Sequence, residues 1–384
     1  MSKINQKTVI PLSVPVLGGE ECTYVKECIE TGWVSSAGAY VTQFEDVVAD
    51  FVGSKHGVAA VNGTSALHLA LHMLGVNQSD HIIVPNITFI ASANAAVYTN
   101  ASPVFIDVNP NTWQMDLDLL ESFFEKETAI RGDHCVYLKT GKIIKVILPV
   151  HVLGNMCDMP RLMEIAKKHK IEVVEDASES LGSYWKGQHS GTFGVMGIFS
   201  FNGNKIITTG GGGVLVTNNE EHAKRAKHLS TQSKVDPETY FHDEIGFNYR
   251  LVNVLAAIGV AQMEQLEDFI SKKKVIDAYY RKHLKGVGDI TFQEVNDVVD
   301  PNCWLFTFST EKKDRVLASL KADRIIARPF WTPMNQLPMF ASNEYIHGHD
   351  HSKSVHEQCL SIPSSVNLTE DDLARVVYVI KSCY

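Results

Sequence analysis

The chain has 384 residues, with 35 Lys and Arg against 44 Asp and Glu and a formal net charge of −9. That length accommodates a large core and two domains, and 45% hydrophobic with 21% charged residues is ordinary for a soluble globular protein. The acidic balance argues against a nucleic-acid surface, which needs basic patches, but leaves room for a local basic pocket for a diphosphate. Seven scattered cysteines (Cys22, Cys28, Cys135, Cys157, Cys303, Cys359, Cys383) include no Cys-x-x-Cys. They point to buried thiols in a reducing compartment, not to disulfides or a zinc knuckle. Met1 to Lys7 contains no apolar signal region, and no apolar run reaches the ~18 residues of a membrane span. The expectation is a cytoplasmic protein with neither a membrane nor a nucleic-acid partner.

In chain order, Pro11–Gly19 reads as extended and Glu20–Glu30 as a helix. Thr31–Gly38 is a small-residue loop carrying Trp33 and Ser35, and Gln43–Val52 resumes as helix. The strand Val58–Val61 runs into Asn62-Gly63-Thr64-Ser65 and an apolar helix. Thr64 and Ser65 there serve either as simple N-caps or as part of a phosphate site at a helix N-terminus. Ile82–Pro85 is a strand leading to Phe89, Ala101–Val108 is a strand, Asp116–Phe124 a helix and Lys145–Val150 a strand before a structural His151. After the helix Met159–His169, the strand Ile171–Asp176 ends in two acids, where an open α/β sheet faces its ligand crevice.

The segment Phe199–Gly213 sets Lys205 between apolar runs, just before four consecutive glycines. One reading is a hairpin with an exposed lysine. The other is a lysine held in a site that depresses its pKa and makes it an amine nucleophile. Asp176, Ser200 and Lys205 supply the acid, the small donor and the amine that pyridoxal phosphate requires. A helix follows at Glu220–Leu229, then a polar excursion over Thr231–Glu244. Asn248 reads as the cap of a long apolar helix from Leu251 to about Phe269 and Arg250 as a surface charge. Lys272–Lys274 reads as a solvated run, Ile325–Trp331 as a strand entering a proline turn and His347–His351 as an exposed loop, not a metal site. A last helix covers Glu370–Ile380. Strand–helix alternation implies an α/β fold with a mostly parallel sheet and right-handed crossovers. The expected division is a large domain over 1–262 and a smaller α+β domain over 263–384. Neither a Gly-x-Gly-x-x-Gly at a strand end nor a P-loop is present, which removes the main support for nicotinamide and P-loop nucleotide chemistry.

Val174–Gly182, Gly191–Gly194 and Phe199–Gly213 together resemble the signature of the DegT/DnrJ/EryC1/StrS nucleotide-sugar aminotransferases, pyridoxal phosphate enzymes of fold type I (aspartate aminotransferase-like). The resemblance spans nearly the whole chain. It implies that Lys205 binds the coenzyme covalently and moves the proton, and that Asp176 keeps the pyridine nitrogen protonated. It also implies that Phe89 stacks on the ring, that Glu179 lies near the ring hydroxyl, and that Thr64, Ser65, Ser200 and the partner subunit's Asn248 hold the phosphate. Trp33, Ser35, Arg328 and Trp331 are implied sugar-nucleotide contacts, and the assembly is an obligate homodimer with shared sites. The donor implied is L-glutamate. Asn202-Gly203-Asn204-Lys205 resembles the branch serving bacillosamine- and legionaminic-type glycans, so the expected acceptor is UDP-2-acetamido-4-keto-2,4,6-trideoxyhexose. A dTDP- or GDP-linked keto sugar is the alternative. Dehydratase relatives replace this lysine with histidine. A non-catalytic binding protein would have no need of the full set of coenzyme contacts.

Overall fold

A computed structural model of the chain describes residues 8–236 and 238–384. Residues 1–7, on which the expectation about a leader rests, lie outside the described residues. Seven strands form the body of the main sheet: β1 (His56–Ala60), β2 (Asp80–Pro85), β3 (Ser102–Ile106), β4 (Ile143–Ile147), β5 (Glu172–Asp176), β6 (Met196–Ser200) and β7 (Gly213–Thr217). Their order is β1-β7-β6-β5-β4-β2-β3. From β6 to β3 every neighbouring pair is parallel, and β7 runs antiparallel to both β1 and β6. Parallel strands must be covered on both faces, which is why Asp80-His-Ile-Ile-Val-Pro85 is buried at every position. The mostly parallel α/β sheet expected from the alternation is present.

The helices that position the crevice are α1 (Glu21–Thr31), α2 (Ala39–Val52), α3 (Gly63–Met73), α4 (Ala91–Tyr98), α5 (Leu117–Glu127), α6 (Met159–Lys168), α7 (Glu220–Ser230), α8 (Asn253–Met263) and α9 (Leu266–Leu284). The apolar stretch Leu67–Leu71 of α3 packs into a core with Val58, Val84, Ile198 and Leu215, fixing the helix across the sheet. The smaller part carries β8 (Thr291–Phe292), β9 (Thr307–Ser309), α10 (Lys313–Ala322), β10 (Arg328–Pro329), β11 (Tyr345–Ile346), α11 (His351–Gln358), β12 (Cys359–Ser361) and α12 (Glu370–Lys381). Strands β8-β9-β12-β10 make an antiparallel sheet whose core includes Tyr280, Phe308, Leu360 and Ile380. Two segments cross the expected division at 262/263. β11 adds to β3 of the large sheet, and Ile10 belongs to the small core, where it bridges Ile325.

Four local expectations are corrected. The long helix from Leu251 is two helices, broken at Glu264–Gln265, where Gln262 and Gln265 both donate to the Glu21 carboxylate at the start of α1. Asn248 does not cap α8: Val252 precedes that helix, and Asn248 sits exposed in a bridge to Thr231. Arg250 is not a surface charge. It is buried and binds both oxygens of Glu45, whose Oε1 also accepts from the Ala59 N–H. The lysine run is likewise not uniformly solvated, since Lys273 is buried.

A buried ion pair gives little net stability, but removing one partner strands the other charge. Arg250→Met should therefore destabilise the protein by about 3–5 kcal/mol in urea unfolding. A double variant with Glu45→Gln should lose much less than the sum of the two single losses, and additive losses would refute the pairing.

Candidate active site

The carboxyl ends of β5 and β6 and the loops after β1, β2 and β4 open into one crevice of about 580 Å³. Asp176 is the last residue of β5, and it shows how side-chain alternation separates two neighbouring acids. Glu175 points to the other face, fully buried. It accepts the N–H groups of Gly191 (2.8 Å), Phe193 (2.7 Å) and Gly194 (2.7 Å) and pairs with His151 Nε2 at 3.0 Å. His151 accepts the Cys157 N–H on Nδ1, so its remaining proton lies on Nε2, facing Glu175, and its role is structural. Asp176 instead lines the crevice. Its Oδ2 accepts from Ser92 Oγ at 2.6 Å and its Oδ1 from the Ser178 N–H at 3.1 Å. The carboxylate is thus oriented with acceptor capacity to spare.

The lysine segment is a hairpin, as the first reading has it, but its lysine is not exposed. β6 and β7 do form a hairpin, with Ser200 opposite Gly213. Its tip is wound into a turn in which the Lys205 and Thr209 N–H groups bond Asn202 O and Phe201 O. Gly210 takes φ +78, open to glycine at no steric cost, and a Cβ on Gly213 would fall 2.5 Å from the Asn62 carbonyl carbon. The tip consequently brings Lys205 into the crevice. Its side chain is 11% exposed, with Nζ 3.4 Å from Glu179 Oε1 and 4.3 Å from the centre of the Trp304 ring. Burial pushes the Glu179 carboxyl above its ordinary range. The Lys205 ammonium and the Leu153 N–H, which donates to Oε2 at 2.9 Å, pull the other way.

At the start of α3 the Asn62 side chain caps the Ser65 N–H at 2.8 Å. Among the described residues the N–H groups of Gly63 and Thr64 have no protein partner, nor do the hydroxyls of Thr64, Ser178 and Ser200. A Cβ on Gly63 would lie 3.0 Å from Ser200 Cβ and 3.4 Å from Ser178 Oγ, so glycine keeps this cradle open. Free N–H groups at a helix N-terminus ringed by free hydroxyls suit a phosphate. With the oriented Asp176, the Lys205 amine and the 56% exposed Phe89 lining the same space, the donor set fits pyridoxal phosphate.

The structure thus brings Thr64, Phe89, Asp176, Glu179, Ser200, Lys205, Arg328 and Trp331 to one crevice. Ser65 lies one residue deeper in α3, and Trp33, Ser35 and Asn248 are exposed outside the crevice of their own chain. Sequence reading missed Asn62, Ser92, Ser178 and Trp304. Asn62 carried a detectable signal, an N-cap residue before an apolar helix. Trp304 carried none, because it arrives from 99 residues beyond Lys205.

A model of the DegT/DnrJ/EryC1/StrS aminotransferase family matches residues 15–381. The chain is similar to GDP-perosamine synthase of Escherichia coli O157:H7, at 37% identity over 97% of both chains. It is similar also to GDP-perosamine synthase of Caulobacter vibrioides, at 36% identity over 96% of both. Among solved structures, a DegT DnrJ EryC1 StrS aminotransferase from Brucella abortus superposes with a TM-score of 0.87 at 26% identity, covering 94% of this chain and 95% of that one.

The raised Glu179 pKa carries a signed prediction. A carboxyl that binds its proton more tightly when folded stabilises the fold below its unfolded pKa of ~4.3 and loses that contribution as pH rises through the folded value. Glu179→Gln removes the titration. The melting temperature of the coenzyme-free variant should accordingly gain on wild type as pH rises above the unfolded value of ~4.3. A constant difference across that rise would contradict the assignment.

Proposed function

The chain belongs to the DegT/DnrJ/EryC1/StrS aminotransferase family and is a pyridoxal phosphate-dependent sugar aminotransferase; we propose that it moves the amino group of L-glutamate to C4 of a nucleotide-linked 4-keto-6-deoxy sugar. One observation carries the reading. The cavity that gathers Lys205, Glu179 and Asp176 at its foot is rimmed by Arg328 and Trp331, giving it a cation and an aromatic surface beyond what the coenzyme requires. A guanidinium suits a diphosphate, and an indole suits a base or sugar face. Trp331 is itself stacked on Phe330 with ring centres 4.7 Å apart, which holds it in place.

When bound, pyridoxal phosphate supplies the electron sink for the carbon that loses or gains a proton. The chain supplies the rest. Lys205 is the covalent anchor and the base that carries the proton. Asp176, held by Ser92 and Ser178, would keep a proton on the ring nitrogen. Gly63, Thr64, Ser178 and Ser200 would hold the coenzyme's phosphate, and Phe89 would lie against its ring. Glu179 and the Trp304 indole confine the lysine amine between them. Overall, glutamate leaves as 2-oxoglutarate and the sugar carbonyl becomes an amine, so the two half-reactions balance in electrons and protons.

For the acceptor, the GDP-perosamine synthases that resemble this chain favour a GDP-linked sugar over the UDP-linked acetamido sugar expected from Asn202–Asn204. With L-glutamate and a panel of GDP-, UDP- and dTDP-linked 4-keto-6-deoxy sugars, product mass spectra should show the GDP-sugar aminated with a kcat/KM about 10–100-fold above the others. Preferential amination of the UDP-acetamido sugar would restore the other choice.

The homodimer completes the proposal. Trp33 (59% exposed), Phe241 (61%) and Ile245 (86%) are large apolar groups left facing outward. Trp33 and Ser35 are tied to the start of α8 by Asn253, whose Nδ2 donates to Trp33 O and whose N–H donates to Ser35 O. Asn248 is exposed as well, in a bridge to Thr231, and in a homodimer these three residues would be available to the other copy's crevice. Mixing refolded Lys205→Ala and Asn248→Leu proteins, each impaired alone, should restore at most about a quarter of the wild-type rate, the statistical share of intact sites. No recovery above the sum of the separate variants would rule out sharing.

A further inference from the structure

Three consecutive lysines of α9 meet different fates. Lys272 pairs with Asp268 at 2.7 Å and Lys274 with Asp300 at 2.6 Å, both towards solvent. Lys273 is 3% exposed, and among the described residues no carboxylate pairs with it. Its Nζ donates to two backbone carbonyls, Trp304 O at 2.8 Å and Ser364 O. Burying a lysine with no counter-charge is costly, and a methionine of similar reach would fill the same space without that cost. Burial lowers the Lys273 pKa to about 7. A neutral amine still has two N–H donors, one for each carbonyl.

What those bonds hold explains the cost. Trp304 lies under Lys205, and its Nε1 donates to Asn204 O at 2.8 Å, one residue before that lysine. The Trp304 N–H donates to Asn302 Oδ1 at 3.0 Å, and Asn302 Nδ2 donates to Glu179 O at 2.8 Å and Leu181 O at 2.9 Å. Residues 302–304 thus touch both sides of the Glu179–Lys205 pair. Cys303, in their middle, holds φ +55, a conformation that costs a non-glycine residue energy and persists only where its surroundings impose it. Lys273 and Lys205 also line the same small cleft.

We propose that Lys273 is a positioning residue for Lys205, its buried amine fixing the Trp304 carbonyl so that the indole holds the catalytic lysine against Glu179. This rests on the reading of Lys205 as the lysine that carries the coenzyme. Lys273 does not line the crevice and acts on Lys205 through the strained turn at 302–304.

The test uses the holoenzyme and the glutamate half-reaction, which needs no knowledge of the sugar. Single-turnover bleaching of the bound coenzyme's visible absorption by L-glutamate is followed in Lys273→Met, Trp304→Phe and the double variant. Visible circular dichroism of the coenzyme is recorded alongside. Lys273→Met should bleach about 10–100-fold more slowly, as expected for a misplaced reacting group. Its half-saturating glutamate concentration should stay within about twofold of wild type, since substrate binding is untouched. Its dichroism should change in the same sense as that of Trp304→Phe, and the double variant should be no slower than the slower single. A wild-type bleaching rate in Lys273→Met, or rate losses that multiply in the double variant, overturns the proposal, whatever happens to the melting temperature. Should Lys273→Met not fold, Trp304→Phe decides: a wild-type rate with unchanged dichroism overturns it, and a slowed rate with changed dichroism supports it. Wild-type protein that binds no coloured coenzyme, or keeps its colour with glutamate, would instead remove the underlying reading.

Discussion

The lysine amine at the foot of the crevice is held between one carboxylate and one indole, and most of the surrounding structure serves to keep it there. A flexible four-carbon side chain loses appreciable rotamer freedom when fixed. Here the restraint comes from three sources far apart in the chain. The glycine-rich hairpin tip aims Lys205, the turn after β5 brings Glu179 to 3.4 Å, and the segment before β9 inserts Trp304 at 4.3 Å. None of these would hold the amine alone. The parallel sheet is what allows them to converge, because its strand ends deliver loops from separate crossovers to one edge.

The same economy governs the buried charges. Glu175 and Asp176 are adjacent, yet one is saturated by three backbone N–H groups and a histidine while the other keeps free acceptor capacity towards the crevice. Asp107 resembles Glu175, since it accepts the N–H groups of Val108, His351 and Ser352 and so moors α11 and the histidine loop to the end of β3. A carboxylate with all its lone pairs engaged holds loops together, and one with capacity left over faces a ligand. That difference separates the acid in the crevice from the two that hold loops more sharply than burial does, for all three are buried.

The large sheet was legible in the sequence because most of its strands are short apolar runs, and because β5 and β6 carry motifs with chemistry attached. Asp176, Lys205, Glu179 and Thr64 could be placed for the same reason. Periodicity failed where a long-range polar contact decides the local structure. The helix from Leu251 reads as continuous, yet it breaks where two glutamines meet Glu21 from some 240 residues away. Arg250 and Lys273 read as ordinary surface charges because nothing nearby announces Glu45, or the carbonyls of Trp304 and Ser364. Their partners lie 205, 31 and 91 positions away. Such pairings follow from topology, and a local window cannot contain them.

The residues left outside the crevice are informative in a different way. Trp33, Ser35 and Asn248 are implied by the resemblance to be sugar or coenzyme contacts, but all three are exposed outside the crevice of their own chain. Ile245, Phe241 and Trp33 are large apolar side chains left facing outward, and outward apolar surface of this kind often meets another protein. Residues suited to a site but absent from it, on a surface suited to an interface, are reconciled by a single arrangement. If two copies face each other across a twofold axis, each supplies the same patch to the other, so one interface completes two crevices at once. The apolar groups are then covered by the contact that brings the polar ones into use, and association and catalytic competence become one event.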